Sequence, residues 1–310
     1  MNPDHGDQAD TVDHRALLGT LTSAERAALS ARRDLPGLLR LAGHTGAIAA
    51  VGGTILLGPP LWPLLVVVQG ILLIFLFTPL HETIHGTAFR STWLNAVVAH
   101  ATGFLLLLPP AWFRYFHLAH HRHTQDPEQD PELIQPKPET PLAYLRHLSG
   151  IPTWWSQCRT LLRNASGLCD DVFVPRGARR RITREAQAFL AAYAVLAIGS
   201  VALGSGTLLV IWLIPVLLGQ PFLRAYLLAE HGRCAFVANM LENSRTTFTS
   251  RLMRLLAWNM PYHTEHHVWP AVPFHRLPEF HRYTQAYLRE TEQGYRRFHQ
   301  RYVRSLRRPR

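Results

Sequence analysis

Residues 41–80, 91–113 and 186–223 contain no Asp, Glu, Lys or Arg, although the 310-residue chain carries 32 basic and 21 acidic side chains. A membrane-spanning helix takes ~20 mostly apolar residues, so the first and third blocks are each about two spans long. An ordinary soluble domain does not segregate its charge in this way. The expected fold is therefore an all-α integral membrane protein with four transmembrane helices in two hairpins. The spans fall at about 38–57, 61–80, 186–203 and 207–229. They turn at Gly58-Pro59-Pro60 and Gly204-Ser205-Gly206, and neither turn carries charge. The middle block could cross once, but a fifth span would put the polar segments on its two sides in different compartments. Pro109-Pro110 breaks a helix near its end, so residues 93–113 read as a re-entrant or interfacial helix.

Eleven Lys or Arg lie in 114–185, fourteen in 231–310 and five in 1–40. The positive-inside rule places all three segments, and both termini, in the cytoplasm. That gives a cytosolic N-terminal tail (1–35), a membrane domain with a cytosolic helical cap (36–285) and a basic C-terminal tail (286–310). The net charge of +11 flanks apolar spans and forms no motif for reading bases or phosphates, so a membrane surface explains it and nucleic acid is not an expected partner. The first fourteen residues, MNPDHGDQADTVDH, lack the basic and apolar regions of a cleaved secretory signal. Three cysteines with no C-x-x-C pair cannot build a disulfide framework or a thiolate zinc site.

Histidine is the abundant ligand type, with 18 residues. Three clusters follow apolar stretches: His81 and His85; His117, His120 and His121; and His263, His266 and His267. Residues at i, i+3 and i+4 share one helix face, so each cluster can aim two or three imidazoles at one point, and eight converge if the helices do. Imidazole suits iron, copper, zinc and nickel, so the donor set alone does not choose the metal. Eight neutral ligands leave a metal's charge uncompensated. Glu82, Asp126, Asp130 and Glu265 are placed to accept from the second nitrogen of ligand imidazoles, and His123 to stand just behind the ligands. His44 and His100 lie inside apolar stretches, where an ionisable residue needs a partner.

The segments HETIHGT, HLAHHRHTQDPEQDPE and NMPYHTEHHVWPAVPFHRLP resemble the three histidine boxes of the membrane fatty acid desaturase and hydroxylase superfamily. The likeness covers the ordered run from about His81 to Pro278. It implies two iron ions held by histidines on the cytosolic side, with dioxygen as co-substrate for attack on an unactivated C–H bond. It also suggests His231, in the AEHG segment, as a ninth ligand. Asn259, four residues before His263 and so on the same face if one helix holds both, becomes a candidate ligand through water. No flavin, nicotinamide, haem or iron–sulfur motif is found in the sequence, so electrons are expected from a ferredoxin or similar carrier with its reductase.

The leading expectation is an oxygen-dependent fatty acyl desaturase of the bacterial inner membrane acting on a long-chain lipid. Hydroxylases, hydrocarbon oxygenases and carotenoid ketolases share the same boxes and remain alternatives. His81-Glu82-x-x-His85 also fits the zinc-protease pattern, with Glu82 as general base, but that leaves six clustered histidines unused. A histidine-rich metal transporter would carry polar residues at mid-span, and the four spans offer few.

Overall fold

A computed structural model describes residues 12–307. The chain is almost wholly helical. The main helices are α1 (Asp34–Leu56), α2 (Trp62–Ile74), α3 (Phe77–His85), α4 (Thr92–Leu105), α5 (Pro110–His123), α6 (Ile151–Ala165), α7 (Arg179–Ala202), α8 (Ile214–His231), α9 (His263–Val268), α10 (Leu277–Thr284) and α11 (Tyr295–Arg304). The one sheet among the described residues is a parallel pair, Thr246–Thr247 with Thr291–Glu292.

Prolines and glycines set the helix ends. Proline opens α2, α5 and α8, where its missing N–H costs nothing, and Gly86 closes α3 in the left-handed conformation at φ 74°. Because α3 follows α2 almost without a break, residues 62–85 act as one long apolar helix. His81 and His85 therefore emerge in its last turns.

Three helices are long and apolar enough to cross a membrane: Trp62–His85, Arg176–Ala202 and Leu209–His231. The expected first span is present as α1, but it falls outside this set, because Arg40, His44, two threonines and several glycines dilute its apolar residues. It still lies against α2, where the His44 ring bonds the Leu72 carbonyl at 2.8 Å. A fourth crossing is reached only if α4 and α5 count as one span, and these two meet at 99° across Leu106–Pro109. The break falls where Pro109-Pro110 predicts it.

The second expected hairpin does not close on itself. Its returning arm, α8, packs chiefly on α2, while α7 packs on α6. Phe104, near the end of α4, is the wedge: its ring stacks on Tyr193 of α7 at 4.5 Å and on Trp212 just before α8 at 5.7 Å. The Tyr193 hydroxyl and the Trp212 indole N–H donate to the carbonyls of Phe104 and Leu105. Little of α7 is buried, and its exposed Val195, Ile198 and Val201 offer a face for lipid.

The α2–α8 contact brings backbone against backbone. A Cβ on Gly219 would stand 2.1 Å from the Gly70 carbonyl oxygen, and one on Gly70 would stand 2.3 Å from that of Pro215. Small residues facing one another let helix backbones approach, which is how helices gain packing energy where lipid is as apolar as leucine.

Among the described residues, both end segments carry helices that pack on the rest of the chain. Residues His14–Thr20 and Ser23–Leu29 form two short helices that bury Leu17 and Leu29 in the main core. At the other end, α11 buries Phe298 and Tyr302 against Leu228 and Ala229 at the end of α8. Apolar positions at helical spacing inside these polar segments explain why both pack. Residues 1–11 of the expected N-terminal tail and 308–310 of the C-terminal one lie outside the described residues.

Candidate metal centre

Four helix ends meet beneath the apolar bundle: the C-termini of α3, α5 and α8, and the short α9. Each carries histidine on its inward face, at the helical spacing already noted. The donor nitrogens sort into two groups, each with its atoms within 4.8 Å of one another. One holds His81, His85, His117, His121 and His266; the other holds His120, His231 and His267. His263 adjoins the second group, its Nε2 standing 2.9 Å from Nε2 of His231.

Sequence spacing could not supply this partition. The adjacent pair His120-His121 splits between the groups, as does His266-His267, because neighbours on a helix point about 100° apart. The stacked rings of His121 and His267, centroids 4.1 Å apart, join the two halves.

Nitrogen faces nitrogen throughout. The His121 Nε2 lies 2.9 Å from that of His117 and 3.1 Å from that of His266, and the His120 Nε2 lies 3.2 Å from that of His231. His85 Nε2 and His267 Nε2 are buried with no hydrogen-bond partner. A buried polar atom left unpaired costs about 1–3 kcal/mol, so so many converging lone pairs fit cations better than one another. Burial holds His263, His266 and His267 well below their ordinary pKa, so at neutral pH they are uncharged and free to ligate. The donor set thus fits two metal ions, and iron is among those that imidazole suits.

The outer nitrogens have specific partners. His120 Nδ1 bonds Asp130 Oδ1 at 2.9 Å, His231 Nδ1 donates to the Asn243 carbonyl at 3.0 Å, and His267 Nδ1 meets the Thr124 hydroxyl at 3.1 Å. Burial opposes ionisation of Asp130, but the bond from His120 and backbone N–H groups of Gln125 and Glu132 win and hold the carboxyl below its usual range. Such partners fix the ring orientation of a ligand imidazole.

The other carboxylates expected around the ligands divide. Glu82 is fully buried, accepts from the Thr87 hydroxyl and the Phe274 N–H, and keeps its other oxygen 3.9 Å from Nδ1 of His266. A carboxylate so enclosed is badly placed to activate water, which counts against the protease reading. Glu265 is turned away from the ligands. It accepts from Thr246, His281 and Thr284, fastening α9 to α10 and the sheet. Asp126 accepts from Glu128 and Gln129 within its own turn. His123 belongs to neither ligand group; its carbonyl accepts from Asp126 in the same turn.

Asn259 does not share a helix with His263. It lies in the turn before α9 with φ 59°, and its amide donates to the Phe274 carbonyl at 3.0 Å. Residues 257–261 turn tightly enough that helical spacing does not apply. Glu230, which sequence reasoning missed because its contact is with a residue on another helix, stands 3.3 Å from Nδ1 of His263. The apolar-stretch histidines are accounted for outside the site, since His100 pairs with Glu185 at 2.9 Å and His44 bonds Leu72.

A cavity of about 510 Å³ opens beside the two groups. Phe77, Trp112, Phe113 and Phe116 form an apolar wall, and Glu132, Lys137 and Arg224 are among its polar residues. The ring of Phe113 is 5.6 Å from that of His117, and the ring of Phe77 is 6.1 Å from that of His81, so the wall reaches the five-histidine group.

The family model described as fatty acid desaturase matches residues 57–299. The chain belongs to the fatty acid desaturase family. The match runs from the α1–α2 turn into α11 and includes every histidine of both groups. It makes the chain an oxidoreductase of the desaturase and hydroxylase superfamily. Among individually curated proteins, none matches the chain.

Proposed function

We propose that this desaturase-family protein is an oxygen-dependent lipid desaturase that removes two hydrogens from an unactivated alkyl chain. The observation that carries the reading is two adjacent imidazole groups beside an aromatic-lined cavity whose Phe77 and Phe113 pack on His81 and His117. Two iron ions bound there would supply activation of dioxygen for attack on a C–H bond. The protein's own task is positioning. Phe77 and Phe113 would hold the chain against the ligand groups, and the buried setting keeps bulk water from the reacting carbon. Rigid helix ends, with rings pinned by Asp130, Asn243 and Thr124, suit a reaction whose outcome turns on roughly an ångström of placement.

The reading extends to surroundings. The ligand groups lie on the side of the helices that carries the basic loops, so the site and both termini would face the cytoplasm of a bacterial inner membrane. Electrons would come from a ferredoxin or similar acidic carrier, drawn by the basic run around Arg176–Arg181.

The test is mass spectrometry of total lipids and hydrocarbons from cells expressing the protein with a ferredoxin system, beside a His263→Ala control. Chains lighter by two hydrogens, absent from the control, are the expected product. Chains heavier by one oxygen instead would show a hydroxylase. Lipids unchanged from the control, with the protein metal-loaded and reduced, would contradict lipid-chain oxidation.

A further inference from the structure

The two ligand groups are unequal. One has five imidazoles, while the other has three within mutual reach and His263 beside them. All are neutral donors, so a divalent ion in the smaller group has fewer ligands and no charge compensation from them. Three carboxylates stand near that group, and two are already engaged. Asp130 is bound to Nδ1 of His120 and to two backbone N–H groups, and Glu230 lies against Nδ1 of His263. The third is Glu132.

Glu132 is held in place by what surrounds its backbone. It sits in the 3₁₀ turn Pro131–Ile134, and its N–H donates to Asp130 Oδ1, the oxygen that also holds His120. The turn and the imidazole are thus fixed to one another. The Glu132 Oε1 then stands 3.9 Å from Nε2 of His120, the nitrogen aimed into the ligand group. Two donors each about 2.1 Å from one ion are at most roughly 4.2 Å apart, so both can reach the same ion. Among the described residues neither carboxylate oxygen accepts a hydrogen bond, and its ion-pair partner on the cationic side is Lys137 at 3.9 Å. The side chain also lines the 510 Å³ cavity.

We infer that Glu132 is a carboxylate ligand of the smaller metal group, joining His120 on the side that faces the cavity. A few imidazoles with one carboxylate is a set that non-haem ferrous iron takes readily. The two metal positions then differ in kind: one is wrapped in five imidazoles, and the other carries an anionic ligand at the wall where substrate would lie. This rests on the metal reading of the site, not on which reaction the site performs.

The test counts metal, not turnover. Wild-type protein, Glu132→Gln and Lys137→Ala would be loaded with ferrous iron without oxygen, dialysed against a chelator series and analysed for iron per chain. Mössbauer spectra would record how many iron environments remain. Wild type and Lys137→Ala should keep two irons in two distinguishable environments. Glu132→Gln, of the same size and shape, should release one iron at a chelator concentration at least tenfold lower, leaving a single environment. Glu132→Gln that keeps both irons and both environments like wild type overturns the inference while leaving the metal site intact. Wild type that binds no metal overturns the inference together with the reading beneath it. Thermal unfolding of Glu132→Gln alongside wild type confirms that lost iron does not reflect lost fold.

Discussion

His266→Ala is expected to empty the five-imidazole group and to lower lipid oxidation on the order of a thousandfold or more. Loss of a partner that merely orients a ligand already costs about 10–100-fold in metal affinity or activity. His266 is itself at the ligand position, fully buried, with Nε2 3.1 Å from that of His121. Its ring also packs against His81 and His85, with centroids 4.6 and 4.8 Å away. Alanine leaves a hole in the middle of four other imidazoles, which then face one another with no common partner. Metal analysis and product formation on the same preparation check the expectation. A variant with full metal and full turnover would remove His266 from the centre.

Gly219→Leu is expected to cost about 3 kcal/mol or more, a large part of the 5–15 kcal/mol by which folded domains are commonly stable. The side chain would meet the Gly70 backbone at a distance that no rotamer relieves, so α2 and α8 must separate. These helices lead directly to His81, His85 and His231, and metal content should fall with stability. Gly199→Leu is the matched control, because a Cβ there meets nothing within 4 Å on the exposed face of α7. Thermal unfolding of both purified variants in detergent should show a lowered midpoint for Gly219→Leu and an unchanged one for Gly199→Leu. Equal midpoints would mean that the α2–α8 crossing is looser than described.

What the sequence made legible was whatever depends on local period and charge. The i, i+3, i+4 histidines, the proline break at 109–110 and the uncharged turns are all readable within a single helix or turn, and each appears where its residues place it. Relations between elements were not readable in that way. Nothing local says that Phe104 separates α7 from α8, or that α8 finds its partner in α2 through Gly70 and Gly219. The histidine groups show the same limit: spacing puts His120 and His121 in one box, while their side-chain directions put them in different groups.

The carboxylates make the point most sharply. Asp126 is nearer the His120–His121 pair in sequence, yet only Asp130 folds back onto His120, because the Pro131 turn follows it. Glu265, flanked by ligands on α9, points to the opposite face and serves α10 instead. Asn259 was placed by helical spacing in a segment that is a turn. The Asn259 placement extended a helix past its end, while for Glu265 closeness in sequence to His263 and His266 said nothing of which face its side chain takes.

Iron counting on the intact protein tests the account most directly. Protein purified without oxygen from iron-supplied cells should contain two irons per chain, lost when His121 or His231 is replaced and accompanied by no stoichiometric zinc. A single metal per chain, or zinc retained in place of iron with undiminished lipid oxidation, would contradict a two-iron centre built from these histidines.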